Sequence, residues 1–266
     1  MMVTSVSSAQ PTSPSGKFSI AHGLFRLKHR FNLTAPGAIV PRQCEQGFYV
    51  LAEIILVRHG QANSHATDEA SYDRLSDLGR QQARWLGQHL STTNPHFDRV
   101  ITGTLSRQAD TAREMGYEIT AQDARFDELS YFSIAQALEG QHAIPVPATP
   151  GDFATHLPQL LDHWERDVID AAPERFDAFY ARVRASIDEL CEQPGRVLVV
   201  TSGGVIGMVM RHALGLHNGS TAKIMLQVMN SSLHRLEYVH GQLMVGAFNT
   251  TPHLDMPDRA HARTYV

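Results

Sequence analysis

Cysteine is almost missing from this 266-residue chain. Cys44 and Cys191 are far apart and belong to no CxxC pair. That excludes a disulfide-stapled scaffold and a thiolate metal site, and the expectation is two reduced thiols in a cytoplasmic protein. Long apolar runs are also missing. No stretch approaches the roughly 20 residues a membrane-spanning helix needs, and no charged segment followed by an apolar core opens the chain. Neither a membrane association nor a secretory leader is expected. Excess positive charge is lacking: the formal net charge is −4 with histidine neutral. That argues against a nucleic-acid partner and leaves room for a local anion site. There is no internal repeat. A chain this long buries about 70–75% of the surface its unfolded form exposes, so it needs no staple.

What is present is alternation. Residues 1–48 read as an N-terminal tail, poorly ordered, with a Ser/Thr/Pro/Gln-rich start and a loosely amphipathic, basic stretch from Phe18 to Leu33. One domain is expected over 49–266. "EIILV" (Glu53 to Val57), "RVIT" (Arg99 to Thr102) and "RVLVVTS" (Arg196 to Ser202) read as strands. Helical spacing covers Ser76 to Leu90, Leu105 to Gly116 and Gly203 to Gly215. Two more helices fall between Glu128 and the Arg196 strand, the first started or interrupted by Pro158. "SLHRLEYV", His240-Gly241 and "QLMVGAFN" form a hairpin, which offers an edge to a homodimer. Buried strands alternating with helices predict an α/β fold: three layers, α/β/α, around a mostly parallel sheet, with a helical cap insert at 130–195.

In such sheets, ligands bind at the carboxyl ends of the strands. Three clusters fall there: Arg58-His59-Gly60, Thr102-Gly103-Thr104 with Arg107, and Thr201-Ser202-Gly203-Gly204. Two of them open helices, whose first N–H groups and dipole favour an anion. Two arginines add bidentate donors for a phosphoryl group. A histidine on the same rim suggests phosphoryl transfer to imidazole nitrogen, with Arg58 helping to keep that imidazole neutral. Each cluster alone is weak; their shared rim gives them weight.

"LVRHGQA" (Leu56 to Ala62), "YDRLSDLGRQQA" (Tyr72 to Ala83), "VITGTLSRQADTA" (Val100 to Ala112), "RFDEL" (Arg125 to Leu129) and "VLVVTSGGVIG" (Val197 to Gly207) occur in that order. In this the chain resembles the histidine phosphatase superfamily, also called phosphoglycerate mutase-like. The resemblance implies hydrolysis of a small-molecule phosphomonoester with no metal and no cofactor. It implies that His59 becomes phosphorylated and that Arg58 and Arg107 bind the phosphoryl group. Glu128 then serves as the proton donor, with Asp127 as its competitor, and Asn63 and Gln61 lie near the pocket.

One departure stands out. The family usually has a second histidine where this chain has Ser202. Three readings stay open: a weaker or more selective phosphatase that uses Ser202 and Gly203; an extra donor supplied by His253; or a binding module without turnover. Restoring a histidine at 202 is expected to raise turnover. The insert shows Tyr131, Phe132, Phe153 and Trp164 with no lysine-rich lining. That disfavours polyphosphate substrates and the rival phosphomutase reading, which needs cations for a second phosphate.

Overall fold

The computed structural model describes residues 42–43, 49–63, 66–93 and 96–265. The readings placed on Phe18 to Leu33, and on the tail apart from residues 42–43, lie outside the described residues. In chain order the elements are β1 (Arg42–Gln43), β2 (Tyr49–Arg58), α1 (Glu69–Tyr72), α2 (Asp77–Thr93), β3 (Arg99–Thr102), α3 (Ser106–Glu114), β4 (Ala121–Gln122) and α4 (Tyr131–His142). There follow α5 (Pro150–Glu165), α6 (Phe176–Glu192), β5 (Gly195–Thr201), α7 (Gly203–Leu214), α8 (Asn218–Gln227), β6 (Leu233–Val239) and β7 (Gln242–Thr250).

The central strands show why their sequences are apolar at every position. In β2, Ile54 and Leu56 join one core cluster, while Ile55 and Val57 join another. β5 divides in the same way, Val197 and Val199 against Leu198 and Val200. Successive strand side chains point to opposite faces, so an unbroken apolar run is required when helices cover both. Helices α2 and α3 cover one face through Ala83, Leu86, Leu90 and Ala112. Helices α6 and α7 cover the other through Phe179, Val183, Val205 and Ile206. Each such side chain contributes about 1.5–3 kcal/mol through burial. The strand order is β4-β3-β5-β2-β6-β7, with β1 on the start of β2. β4, β3, β5 and β2 run parallel, and β1, β6 and β7 antiparallel. The fold is therefore a three-layer α/β/α with a mixed, mostly parallel sheet. Arg42 pairs with Val50, so the sheet begins upstream of the boundary expected at Tyr49.

Two expectations change. Pro158 neither starts nor interrupts its helix. α5 begins at Pro150 behind a Thr149–Asp152 capping box and continues through Pro158. A buried stripe of Leu157, Leu160, Leu161 and Trp164 holds it against the cost of the missing N–H. The insert is also less uniform than a cap. α6 lies on the sheet, with Ile187, Leu190 and Cys191 in the main core, and burial pushes the Cys191 thiol up to about 12. α1, α4, α8 and β4 were not anticipated. The hairpin is as expected: His240 and Gly241 both take positive φ, 50° and 82°, the geometry of a two-residue turn that matches strand twist.

Register positions the chemistry. Arg58 pairs with Thr201, and Thr102 with Val200. The carboxyl ends of β2, β3 and β5 therefore lie side by side at one rim.

Candidate active site

A cavity of about 500 Å³ opens over that rim, bordered by Arg58, Arg107, Glu128 and Gly203 below and by α4 and the start of α5 above. His59 follows β2 directly. Its backbone N–H donates to Thr201 O at 2.9 Å, which ties it to β5. It is 1% exposed and lies just beneath the lining, edge-on to the Tyr72 ring that lines the cavity (centroids 6.2 Å apart, planes at 82°). His59 Nδ1 lies 2.7 Å from Gly60 O. A carbonyl can only accept, so Nδ1 carries the proton and Nε2 keeps its lone pair. Burial holds the pKa of His59 well below the ordinary 6.5, and the charges of Arg107 and then Arg58 push the same way, against the Gly60 bond. The ring is neutral at neutral pH, as a nucleophile requires. Gly60 is needed because a Cβ there would sit 2.3 Å from Gly79 O.

Each of the two arginines is held by several neighbours. Arg58 Nη1 donates to the carbonyls of Val228 and Tyr265. Arg107 Nη1 pairs with Asp73 Oδ1 at 3.1 Å, and its guanidinium lies 5.0 Å from the Tyr72 ring centre. In both, Nε is buried without a hydrogen-bond partner. A buried, unpaired donor on a permanent cation is costly, and a phosphoryl oxygen would relieve it at both residues.

The helix N-termini turn out differently from the expectation. Asp73 accepts from the backbone N–H groups of Ser106 and Arg107 and so caps α3 from a distance. Glu128 Oε2 accepts from Gly204 N at 3.0 Å at the start of α7. Three amides at these helix starts, those of Ser106, Arg107 and Gly204, are thus already satisfied by protein carboxylates, because buried helix ends need partners. Gly204 is required here: a Cβ would lie 2.2 Å from Glu128 Oε1. Thr104 is likewise engaged, donating from N and Oγ1 to Asp127.

That contact separates the two neighbouring acids. Asp127 is used by Thr104, whereas Glu128 lines the cavity. Asn63 lines it too and donates to Ser71 O. Gln61 is not part of the lining; its Oε1 accepts from Ser76 Oγ at 2.8 Å. Ser202 is fully buried, and its Oγ accepts from Gln108 Nε2 at 2.8 Å. The same Nε2 donates to Phe126 O, so Gln108 fills the space beside Ser202. His253 does not reach the cavity. Its Nε2 pairs with Ser231 Oγ at 2.8 Å, and burial, with His89 and Arg259 nearby, lowers its pKa to about 3. It supports the shelf beneath the site, since Ser231 N donates to His59 O.

Tyr72, Asp73, Glu69 and Gln108 were not singled out from sequence. Tyr72 and Asp73 open one of the quoted motifs, which was the available signal. Among the described residues, no group of three or more His, Cys, Asp or Glu could hold a metal ion. No helix there is long and apolar enough to cross a membrane.

Comparisons with known proteins point to one family. The family model of the histidine phosphatase superfamily (branch 1) matches residues 54–251. The serine/threonine-protein phosphatase Pgam5, mitochondrial, of Drosophila ananassae is 28% identical over 165 residues, covering 60% of this chain and 50% of that protein. The chain thus spans about half the length of the first curated relatives it matches. The broad-specificity phosphatase YOR283W of Saccharomyces cerevisiae is 23% identical over 227 residues, covering 81% of this chain and 93% of that protein. A phosphoserine phosphatase from Entamoeba histolytica, solved with phosphoserine, superposes with a TM-score of 0.59 at 19% identity, covering 76% of this chain and 99% of that one.

Proposed function

The chain belongs to the histidine phosphatase superfamily, and from that premise we propose that it hydrolyses phosphomonoesters through a phosphohistidine on His59. The observation that carries the reading is a neutral imidazole, its Nδ1 committed to Gly60 O, beside two guanidiniums whose Nε atoms lack partners.

In the first half-reaction, His59 Nε2 attacks phosphorus in line and forms an N–P bond. The bond from phosphorus to the ester oxygen breaks, and Glu128 gives a proton to the departing alkoxide. Arg58 and Arg107 carry the charge on the equatorial oxygens. In the second, Glu128 takes a proton from water, whose oxygen attacks phosphorus. The N–P bond breaks, phosphate leaves, and His59 is restored. No step calls on a metal, because the guanidiniums supply the positive charge. Named phosphatases among the relatives support this reading, Pgam5 of Drosophila ananassae and the yeast broad-specificity enzyme included.

The burial of Ser202 against Gln108 favours a second reading, a pocket that binds phosphate esters with little turnover. Rapid-quench kinetics with an aryl phosphate separates the two. Phosphohistidine formed and hydrolysed on each cycle supports the phosphatase. Ester binding with no phosphohistidine supports the binding module.

A further inference from the structure

The cavity is much larger than a phosphoryl group needs. At about 500 Å³ it is in the range that encloses whole small organic ligands. Its polarity is divided. Among the described residues, the only arginines or lysines in the lining are Arg58 and Arg107, both on the floor; beyond them it is mainly carbon, from Leu129, Phe132, Val146, Phe153, Met225 and Leu226.

An aromatic wall connects the two zones. From His59 the ring of Tyr72 is 6.2 Å away, and from Tyr72 that of Phe132 is a further 6.2 Å. Tyr131 follows Phe132 at 5.8 Å and Phe153 follows Tyr131 at 5.3 Å, every contact edge-to-face. Tyr131 presents its ring to the lining, while its hydroxyl pairs with Nδ1 of the buried His156 at 3.1 Å.

Among the described residues, a second anionic group finds no cationic partner in the lining beyond the two floor arginines. The four arginines of the insert are each paired with a carboxylate and none lines the cavity: Arg166 with Asp162, Arg175 with Asp167, Arg182 with Glu174 and Arg184 with Asp188. Lysine occurs only at Lys17, Lys28 and Lys223. Glu69 adds a carboxylate to the lining, held by Ser133 N at 3.0 Å, and would repel a second phosphate. A peptide backbone fits poorly as well. The polar side chains nearest the wall are engaged, Asn63 with Ser71 O and Thr149 with Asp152, so a bound peptide's amides would lose water without gaining partners.

We propose that the site selects phosphomonoesters whose alcohol part is bulky and apolar or aromatic, carrying no second phosphate; this rests on the phosphatase reading given above. Selection comes from burying the alcohol against the wall formed by Tyr72, Phe132, Tyr131 and Phe153, while the floor grips the phosphoryl group common to all esters.

The test uses alkyl esters of matched leaving-group reactivity: phenethyl phosphate, ethyl phosphate, glycerol 3-phosphate, a propanediol bisphosphate and a short phosphoserine peptide. Phenethyl phosphate is expected to exceed ethyl phosphate in kcat/KM by about 30- to 100-fold, the effect of burying one phenyl group. The bisphosphate and the peptide are expected to be poorest. Phe132→Ala and Phe153→Ala should each reduce the phenethyl-to-ethyl ratio by about tenfold, mainly through KM. Calorimetry of the two esters with His59→Ala protein reads the same selectivity without turnover. Turnover with a flat ratio, or a preference for the bisphosphate or the peptide, overturns the substrate class and leaves the phosphatase standing. Absence of turnover and of phosphohistidine, with phenethyl phosphate still bound more tightly, overturns the phosphatase and leaves the selectivity standing.

Discussion

On the floor of the cavity, each reactive side chain is held from several sides. His59 is fixed through its Nδ1, its backbone N–H and its carbonyl, and Arg107 through Asp73 and Tyr72. On the roof, Phe132, Val146, Phe153 and Leu226 are partly buried side chains that offer carbon surface. The floor spends many hydrogen bonds on one geometry, as catalysis of a fixed bond change requires. The roof specifies shape and apolarity, which sets the identity of the alcohol more loosely. Changes on the floor should therefore abolish turnover for all esters alike, whereas changes on the roof should re-rank esters.

The largest effect expected short of removing the nucleophile is at Arg107. Arg107→Leu should lower kcat/KM by about a thousandfold for every ester; a loss confined to bulky esters would break the division between floor and roof. Next is Glu128→Gln. It should cost about 10²–10³ in kcat with alkyl esters and much less with 4-nitrophenyl phosphate, whose leaving group departs without a proton. Equal losses on both would remove Glu128 from the role of acid. Asp73→Asn should cost about tenfold, since it loosens Arg107 and uncaps α3 without removing either; steady-state kinetics with melting curves would show whether rate and stability fall together.

Ser202→His alone is expected to gain little, because Ser202 is fully buried and hydrogen-bonded to the equally buried Gln108, which would have to give way to an imidazole. Combined with Gln108→Ala, the same histidine should raise turnover severalfold above Ser202→His alone. An identical rate in both variants would show that the site has no use for an imidazole there.

The smallest effect on rate concerns the shelf beneath the floor. His234 and His253 are buried, with pKa values lowered to about 3, for His234 by burial and then Arg58. The unfolded chain takes up protons on these residues near pH 6.5, which the folded protein does not do until about pH 3. Their contribution to stability is therefore present above pH 6.5 and is lost as pH falls towards 3. At pH 5 the loss is about 2 kcal/mol for each. Denaturant melts at pH 7.5 and pH 5 should show it, and His253→Gln should flatten the dependence. A stability unchanged between those pH values would contradict the burial of both rings.

The same contrast explains what could be read from the sequence. The floor was legible because its residues lie at strand ends or helix starts: Arg58 closes β2 and His59 follows it, Arg107 lies in the first turn of α3, and Glu128 falls in "RFDEL". The fold was legible because strands covered on both faces leave unbroken apolar runs. The supports were hidden because they come from afar. Asp73 reaches Arg107 across 34 positions, and Gln108 reaches Ser202 across 94; neither spacing leaves a periodic trace. The roof is drawn from Leu129, Tyr131, Phe132, Val146 to Pro150, Phe153, Leu157, Met225 and Leu226, too scattered for any one stretch to announce it. Trp164, grouped with the cap aromatics from sequence, is 2% exposed and belongs to the core. His253, one of the open alternatives for an extra donor in the loop after the last strand, is paired with Ser231.

The most direct test of the account is to mix the protein with phenethyl phosphate, quench within milliseconds in base, where an N-phosphorylated imidazole survives, and locate the phosphoryl group by peptide mass spectrometry. The account predicts a transient label on His59, formed before phosphate appears in solution and absent from His59→Ala. Phosphate release without that label, or an equal rate from His59→Ala, would contradict it.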